Sequence, residues 1–218
     1  MAVLDFPNIP KPDAESWTLT FNTQTFTSDL NGAIQTAELP GARWSGTLTY
    51  TNRQGIDARR LRGFLAANRG RAGRFLVTPA DAVLEGSATQ NGIVGGGASL
   101  VLDFAGEVYS QNDWDAYSAP AGVTEIQASG FGGAGEPALY AGDYFEVNGE
   151  LKICTDDYDG GTLKFSPPLR VGVSYGQTVR VINPRVRVML TNDDQASWSV
   201  SAPVIYGVTF EVVEALDI

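Results

Sequence analysis

Catalytic chemistry at neutral pH most often draws on histidine, and this chain has none. Ser-His-Asp and Cys-His catalysis both need an imidazole base, and most catalytic zinc sites use imidazole ligands. Cys154 is the single cysteine, so neither an intramolecular disulfide nor a multi-thiolate metal site can form. No histidine stands by to activate its thiol. Carboxylate, lysine, tyrosine or magnesium chemistry stays open. The densest acidic cluster is Asp156-Asp157-Tyr158-Asp159-Gly160. Asp157, Asp159 and Gly160 fit positions 3, 5 and 6 of an EF-hand calcium loop. Thr155 and Ser166 would then fall at positions 1 and 12, where the loop needs an acidic ligand and a bidentate Glu. A solvated hairpin turn is the better reading, and no metal ligand is assigned.

Asn192-Asp193-Asp194 reads the same way, as a polar turn ahead of Trp198. Gly95-Gly96-Gly97 has neither the lysine of a P-loop nor the G-x-G-x-x-G spacing of a dinucleotide fold, so no cofactor is expected. Glycoside hydrolysis needs only two carboxylates. With 25 acids in the chain a close pair would mean little, and that reading stays open. The four tryptophans allow a carbohydrate-binding face. Trp17, Trp44 and Trp198 lie on strand-like segments with core parity and read as interior. Trp114, in the polar stretch Gln111–Tyr117, is the one expected to be exposed.

Charge is unevenly spread. Between Arg43 and Arg74 lie eight of the fifteen bases and one acid, Asp57, for a local charge of +7. The other seven bases face twenty-four acids, for −17. Two such surfaces attract each other in neighbouring copies. The acidic remainder opposes nucleic-acid binding, and no nucleic-acid motif is present. Arg59, Arg60, Arg62, Arg69, Arg71 and Arg74 are therefore the candidate interface residues, toward another subunit or another protein.

The elements that would position these residues are mostly strands. Trp17, Leu19 and Phe21 alternate with polar neighbours, and Trp44, Leu48 and Tyr50 share one parity. Further strand-like runs are Phe75–Thr78, Ser99–Phe104, Tyr144–Val147, Leu151–Cys154, Thr162–Phe165, Thr178–Ile182 and Val186–Leu190. In the closing segment Tyr206, Val208, Phe210 and Val212 point one way. Asn31-Gly32, Asn91-Gly92, Asn148-Gly149 and Asp159-Gly160 are turn signals. From Ile56 to Arg69 the spacing of Ile56, Leu61, Phe64 and Leu65 predicts one amphipathic helix of about three to four turns, with a basic face outward.

Composition shifts near residue 85, and Glu85–Pro137 is rich in Gly, Ala and Ser. The expected organisation is a β domain over 1–84, a smaller inserted β domain over 85–178, and closing strands of the first domain over 179–218. No apolar run approaches the roughly 18 residues of a membrane-spanning helix. Met1–Pro7 carries an acid, Asp5, where a secretory leader carries lysines, and no long apolar stretch follows, so a cleaved leader is not expected.

With these residues in view, the chain resembles the distal tail proteins of long-tailed bacteriophages. The resemblance is carried by Leu39-Pro40-Gly41-Ala42-Arg43-Trp44, by the helix with Arg69-Gly70-Arg71-Ala72-Gly73-Arg74-Phe75 after it, by Ala141–Gly149, by Phe165-Ser166-Pro167-Pro168-Leu169-Arg170, and by the closing Val208–Ala215. It covers much of 39–80 and 140–215, in order, and 85–137 matches poorly. It implies a β-sandwich or split-barrel ring domain with one packed helix and a smaller β-barrel-like insertion. It also implies a homohexameric ring at the distal end of the tail tube, contacting the tube protein above and hub or fibre proteins below. The ring would be built in the host cytoplasm and carried in the virion, with no catalytic activity and no cofactor. The rival readings are a carbohydrate- or receptor-binding module of the same tail tip and a carboxylate enzyme on a β-sandwich.

Overall fold

The computed structural model describes residues 3–84, 86–95, 118–130, 136–194, 199–201 and 205–216. The fold is mainly β, with one α-helix, and divides into two compact units. One comprises Met1–Ala80 with Arg187–Ile218, and the other Asp81–Val186.

The first unit is one sheet built from Val3–Asp5 (β1), Ala14–Thr27 (β2), Ile34–Arg53 (β3), Arg74–Val77 (β4), Val186–Leu190 (β13), Ser199–Ser201 (β14) and Ile205–Glu214 (β15). Its order is β1-β4-β13-β15-β3-β2, with β14 also on β15. Register follows the alternation: Val208 stands opposite Tyr50, Phe210 opposite Leu48 and Val212 opposite Gly46. All of these but Gly46 are buried, which fixes the register, because a one-residue slip would turn each of them to solvent. Gly46 is needed for a different reason. A Cβ there would stand 2.8 Å from Cε3 of Trp17, whose indole lies across β3.

Helix α1, Gly55–Asn68, turns Ala58, Leu61, Leu65 and Asn68 inward. Burying two leucines contributes roughly 1.5–3 kcal/mol each. Phe64 meets Phe6 and Phe75 edge-on, with ring centroids 5.0 and 5.1 Å apart, and Tyr50 stacks on Phe210 at 6.1 Å. Ile56, expected on the apolar stripe, is 60% exposed because it lies in the first turn on the side of α1 opposite the buried row. The helix ends at Arg69, in the left-handed conformation (φ 55°, ψ 48°), and its N–H donates to the Ala66 carbonyl.

The second unit contains Gly92–Val94 (β5), Ser118–Ala119 (β6), Glu125–Ser129 (β7), Tyr144–Val147 (β8), Glu150–Cys154 (β9), Gly161–Ser166 (β10), Val173–Ser174 (β11) and Thr178–Arg180 (β12). Six of these close a barrel in the order β10-β7-β5-β12-β8-β9, and β6 pairs with β11. Closure leaves no free sheet edge. Val94, Ile126, Leu139, Phe145, Val147, Leu163, Phe165 and Val179 fill its interior. Asn148 and Gly149, both at positive φ, make the tight β8–β9 turn that their sequence announces.

Three expectations shift. The return to the first unit falls at Arg187 and not at 179, because Val179 pairs with both Gly92 and Val147 and closes the barrel. Asn91-Gly92 is no hairpin turn: Gly92 opens β5, while the Asn91 side-chain oxygen accepts the N–H groups of Val181 and Ile182. The predicted strand Ser99–Phe104 lies outside the described residues, as do Trp114 and Trp198.

Candidate interaction surfaces

The arginines of 59–74 separate into two groups. Arg59 and Arg62 are neighbours one turn apart on α1, and Arg69 follows as the residue that caps its end. All three are exposed, and among the described residues none meets a carboxylate. The Arg62 guanidinium stands 5.9 Å from the Tyr206 ring centre, within cation–π range. Arg60 and Arg71 are also exposed. Arg60 reaches the Asn8 carbonyl with one nitrogen at 3.3 Å. The Arg71 N–H donates to Asp193 Oδ1 at 2.9 Å, which ties the turn after α1 to the 192–194 loop.

Arg74, also among the candidate interface residues, is less exposed than the others. It is half-buried, and its Nη1 donates to the carbonyls of Arg71, Ala72 and Gly73 at 2.9, 3.3 and 3.0 Å. Its charge is spent on the short helical turn Gly70–Ala72, whose carbonyls lack helix partners. The turn is tight: a Cβ at Gly70 would stand 2.5 Å from Asp193 Oδ1.

Two acids of the second unit, Glu146 and Glu150, are structural. Glu146 accepts from the Arg185 N–H at 3.0 Å, from its Nη2 at 3.1 Å, and from Arg180 Nε at 3.3 Å. Glu150 accepts from Lys152 Nζ at 2.6 Å and from the backbone N–H groups of Arg170 and Val171. Lys152 is fully buried and also donates to the Pro168 carbonyl. In the 156–160 turn the acids diverge. Asp156 pairs with Lys164 at 3.0 Å, and Asp157 accepts the Ala141 N–H. Burial, with Asp143 next in effect, pushes the Cys154 thiol up to about 12, far from a nucleophilic thiolate at neutral pH.

The most unusual surface escaped sequence reasoning. β2 and β3 pair from Ala14↔Thr49 out to Thr27↔Ile34, with an irregularity between Thr20 and Asn22. β15 covers β3 only from Ser45 to Arg53. Beyond that point the two strands form a bare ribbon, about 20 Å long at ~3.3 Å per residue. Every residue from Thr20 to Gly41 except Ser28 is exposed. Phe21 is 50% exposed, Phe26 56%, Ile34 66% and Leu30, at the tip, 98%. Phe21 was expected to continue the inward alternation of Trp17 and Leu19; the irregularity after Thr20 takes it out of that row. Phe26, Ala37 and Leu39 share one face of the ribbon, and Thr23, Thr25, Thr27, Ile34 and Thr36 the other. Its only charges are Asp29 and Glu38. The available signal was a long, nearly uncharged threonine-rich stretch on both sides of Asn31-Gly32.

No protein-family model matches this chain, and no curated protein matches it.

Proposed function

We propose that this chain is a non-catalytic, self-assembling structural protein of a phage tail tip. It would form a homohexameric ring at the distal end of the tail tube and receive hub or fibre proteins there. The observation that carries the reading is the bare β2–β3 ribbon. A two-stranded ribbon is marginally stable by itself in water, and among the described residues neither of its edges is paired with another strand. Phe21, Phe26, Ile34 and Leu39 add apolar area to both faces and the bulge. Exposed apolar area of this extent marks an interaction surface. A ribbon so poor in charge suits a protein partner far better than a nucleic acid. The resemblance of 39–80 and 140–215 to distal tail proteins supplies the ring, its place in the virion and its partners.

The test is the solution mass of the purified protein by light scattering, with negative-stain images, over a range of concentrations. A mass of about 139 kDa (six times 23.2 kDa) with annular particles supports the reading. A 23.2 kDa monomer at the highest concentration, indifferent to tail tube protein, sinks it.

A further inference from the structure

Ion pairing in the second unit is one-sided. Residues 81–186 hold five bases and fourteen acids, for a net −9. All five bases are used inside the unit. Lys152 and Arg170 lie on Glu150 at 2.6 and 3.9 Å, Arg180 and Arg185 on Glu146 at 3.3 and 3.1 Å, and Lys164 on Asp156 at 3.0 Å. Those pairs account for three carboxylates and leave the acidic excess to the surroundings. Part of it gathers along one edge. The bridge between Leu139 and Tyr158 sets the segment bearing Glu136 against the one bearing Asp157 and Asp159. All three acids are exposed, and among the described residues Glu136 and Asp159 meet no cation.

The first unit holds the counterpart. Arg59 and Arg62 on α1 and Arg69 at its cap are exposed, and among the described residues they meet no carboxylate. The whole chain is at −10, which disfavours a polyanion such as nucleic acid as the partner of this row. Two complementary surfaces on one chain make a head-to-tail contact, in which each copy gives one surface to either neighbour. Such a contact closes into a ring when the rotation permits.

We propose that the arginine row of Arg59 and Arg62 on α1, with Arg69 at its cap, docks on the Glu136–Asp157–Asp159 edge of a second copy of this chain. The proposal rests on the ring reading and names the contact between neighbours. Each interface then carries one row of arginines on one acidic edge. Its strength falls with added salt, because exposed charges are screened.

The experiment uses three full-length proteins: the wild type, R59E/R62E/R69E, and E136K/D159K. All substituted side chains are exposed, so matching circular dichroism and melting curves establish that the variants fold. Each variant alone is expected to need about tenfold or more protein to assemble than wild type at low salt, as for lost charge complementarity at an interface. An equimolar mixture of the two is expected to recover rings, because glutamates on one copy then meet lysines on the next. Variants that assemble like wild type, or a mixture that fails to recover, overturn the proposal and leave the ring reading standing. A wild type that never leaves 23.2 kDa overturns both. Duplex DNA bound by the wild type, and released by R59E/R62E/R69E while its rings persist, assigns the row to nucleic acid and overturns the proposal.

Discussion

Glu146 and Arg185 are joined by three hydrogen bonds, from the Arg185 backbone N–H at 3.0 Å and from its guanidinium Nε and Nη2 at 3.2 and 3.1 Å. Arg180 completes the clasp from β12 at 3.3 Å. Glu146 is 7% exposed, whereas the two arginines keep about a third of their side chains in water. Removing one partner of a wholly buried pair costs about 3–5 kcal/mol. Solvent reaches these arginines, so Glu146→Gln is expected to cost less, about 1–3 kcal/mol. Urea denaturation, with unchanged slope and a lower midpoint, is the check.

Assembly and stability should come apart on the ribbon. Phe26 and Ile34 touch little of their own chain, so the double variant Phe26→Ser, Ile34→Thr is expected to melt within about 0.5 kcal/mol of wild type, as surface changes do. The same variant should lose its oligomer in light scattering. Loss of folding together with loss of assembly would make the ribbon a part of the fold and not an interface.

How much of this was readable from the sequence depends on what each residue's position is set by. Val208, Phe210 and Val212 were placed correctly because a strand with one buried face writes a period of two into its side chains. The helix was readable for the same reason at a period of 3.6. Phe21 was misplaced because the alternation runs through a register irregularity that leaves no mark on residue type. Whether a third strand covers a hairpin is likewise a long-range matter, so the bare ribbon looked like any other pair of strands. Arg74 looked like its exposed neighbours, and only the three carbonyls of the 70–73 turn show that it faces inward. The tail-tip reading drew on resemblance, and the arginine row on charge arithmetic that the described ion pairs sharpen.

Asp13 gives a pH signature. The Thr51 backbone N–H, at 2.7 Å, does most to hold its carboxyl below the ordinary 3.8, with the Thr51 hydroxyl and the Arg53 guanidinium adding to it against some desolvation. A depressed carboxyl stabilises the fold above its unfolded value, and that contribution disappears as pH falls through the folded one. Melting temperature is therefore expected to fall on acidification below about pH 4, the carboxylate range. Asp13→Asn should flatten that limb and leave the neutral limb's slope unchanged. An unaltered acid limb in Asp13→Asn would remove Asp13 from the account.

Cys154 is 3% exposed and its thiol is pushed up to about 12, mainly by burial. A thiol-specific chromogenic reagent is expected to leave the native protein unlabelled and to titrate one thiol in guanidinium, since only the thiolate reacts. Rapid labelling at neutral pH without denaturant would mean that the barrel opens around β9.

Two glycines ten residues apart, Gly63 and Gly73, should respond in opposite directions to the same substitution. Gly63 lies on the outer side of α1, and a Cβ there meets nothing within 4 Å. Gly63→Ala removes backbone freedom from the unfolded chain and restores helix propensity, for a gain of about 0.5–1 kcal/mol. Gly73 sits under the end of the helix, where a Cβ would stand 2.1 Å from Asn68 Oδ1 and 2.2 Å from the Asn68 carbonyl oxygen. The amide could swing away, but the carbonyl belongs to the last residue of α1 and can move only with the helix end. Gly73→Ala is therefore expected to cost at least the ~1–3 kcal/mol of an overpacked site. It should also disturb the turn that fixes Arg69 and Arg71. Thermal melts of the two variants read the stabilities, and the assembly threshold reads the turn. If the arginine row makes the contact between copies, Gly73→Ala raises that threshold even at temperatures where the variant is fully folded, whereas Gly63→Ala leaves it where it is.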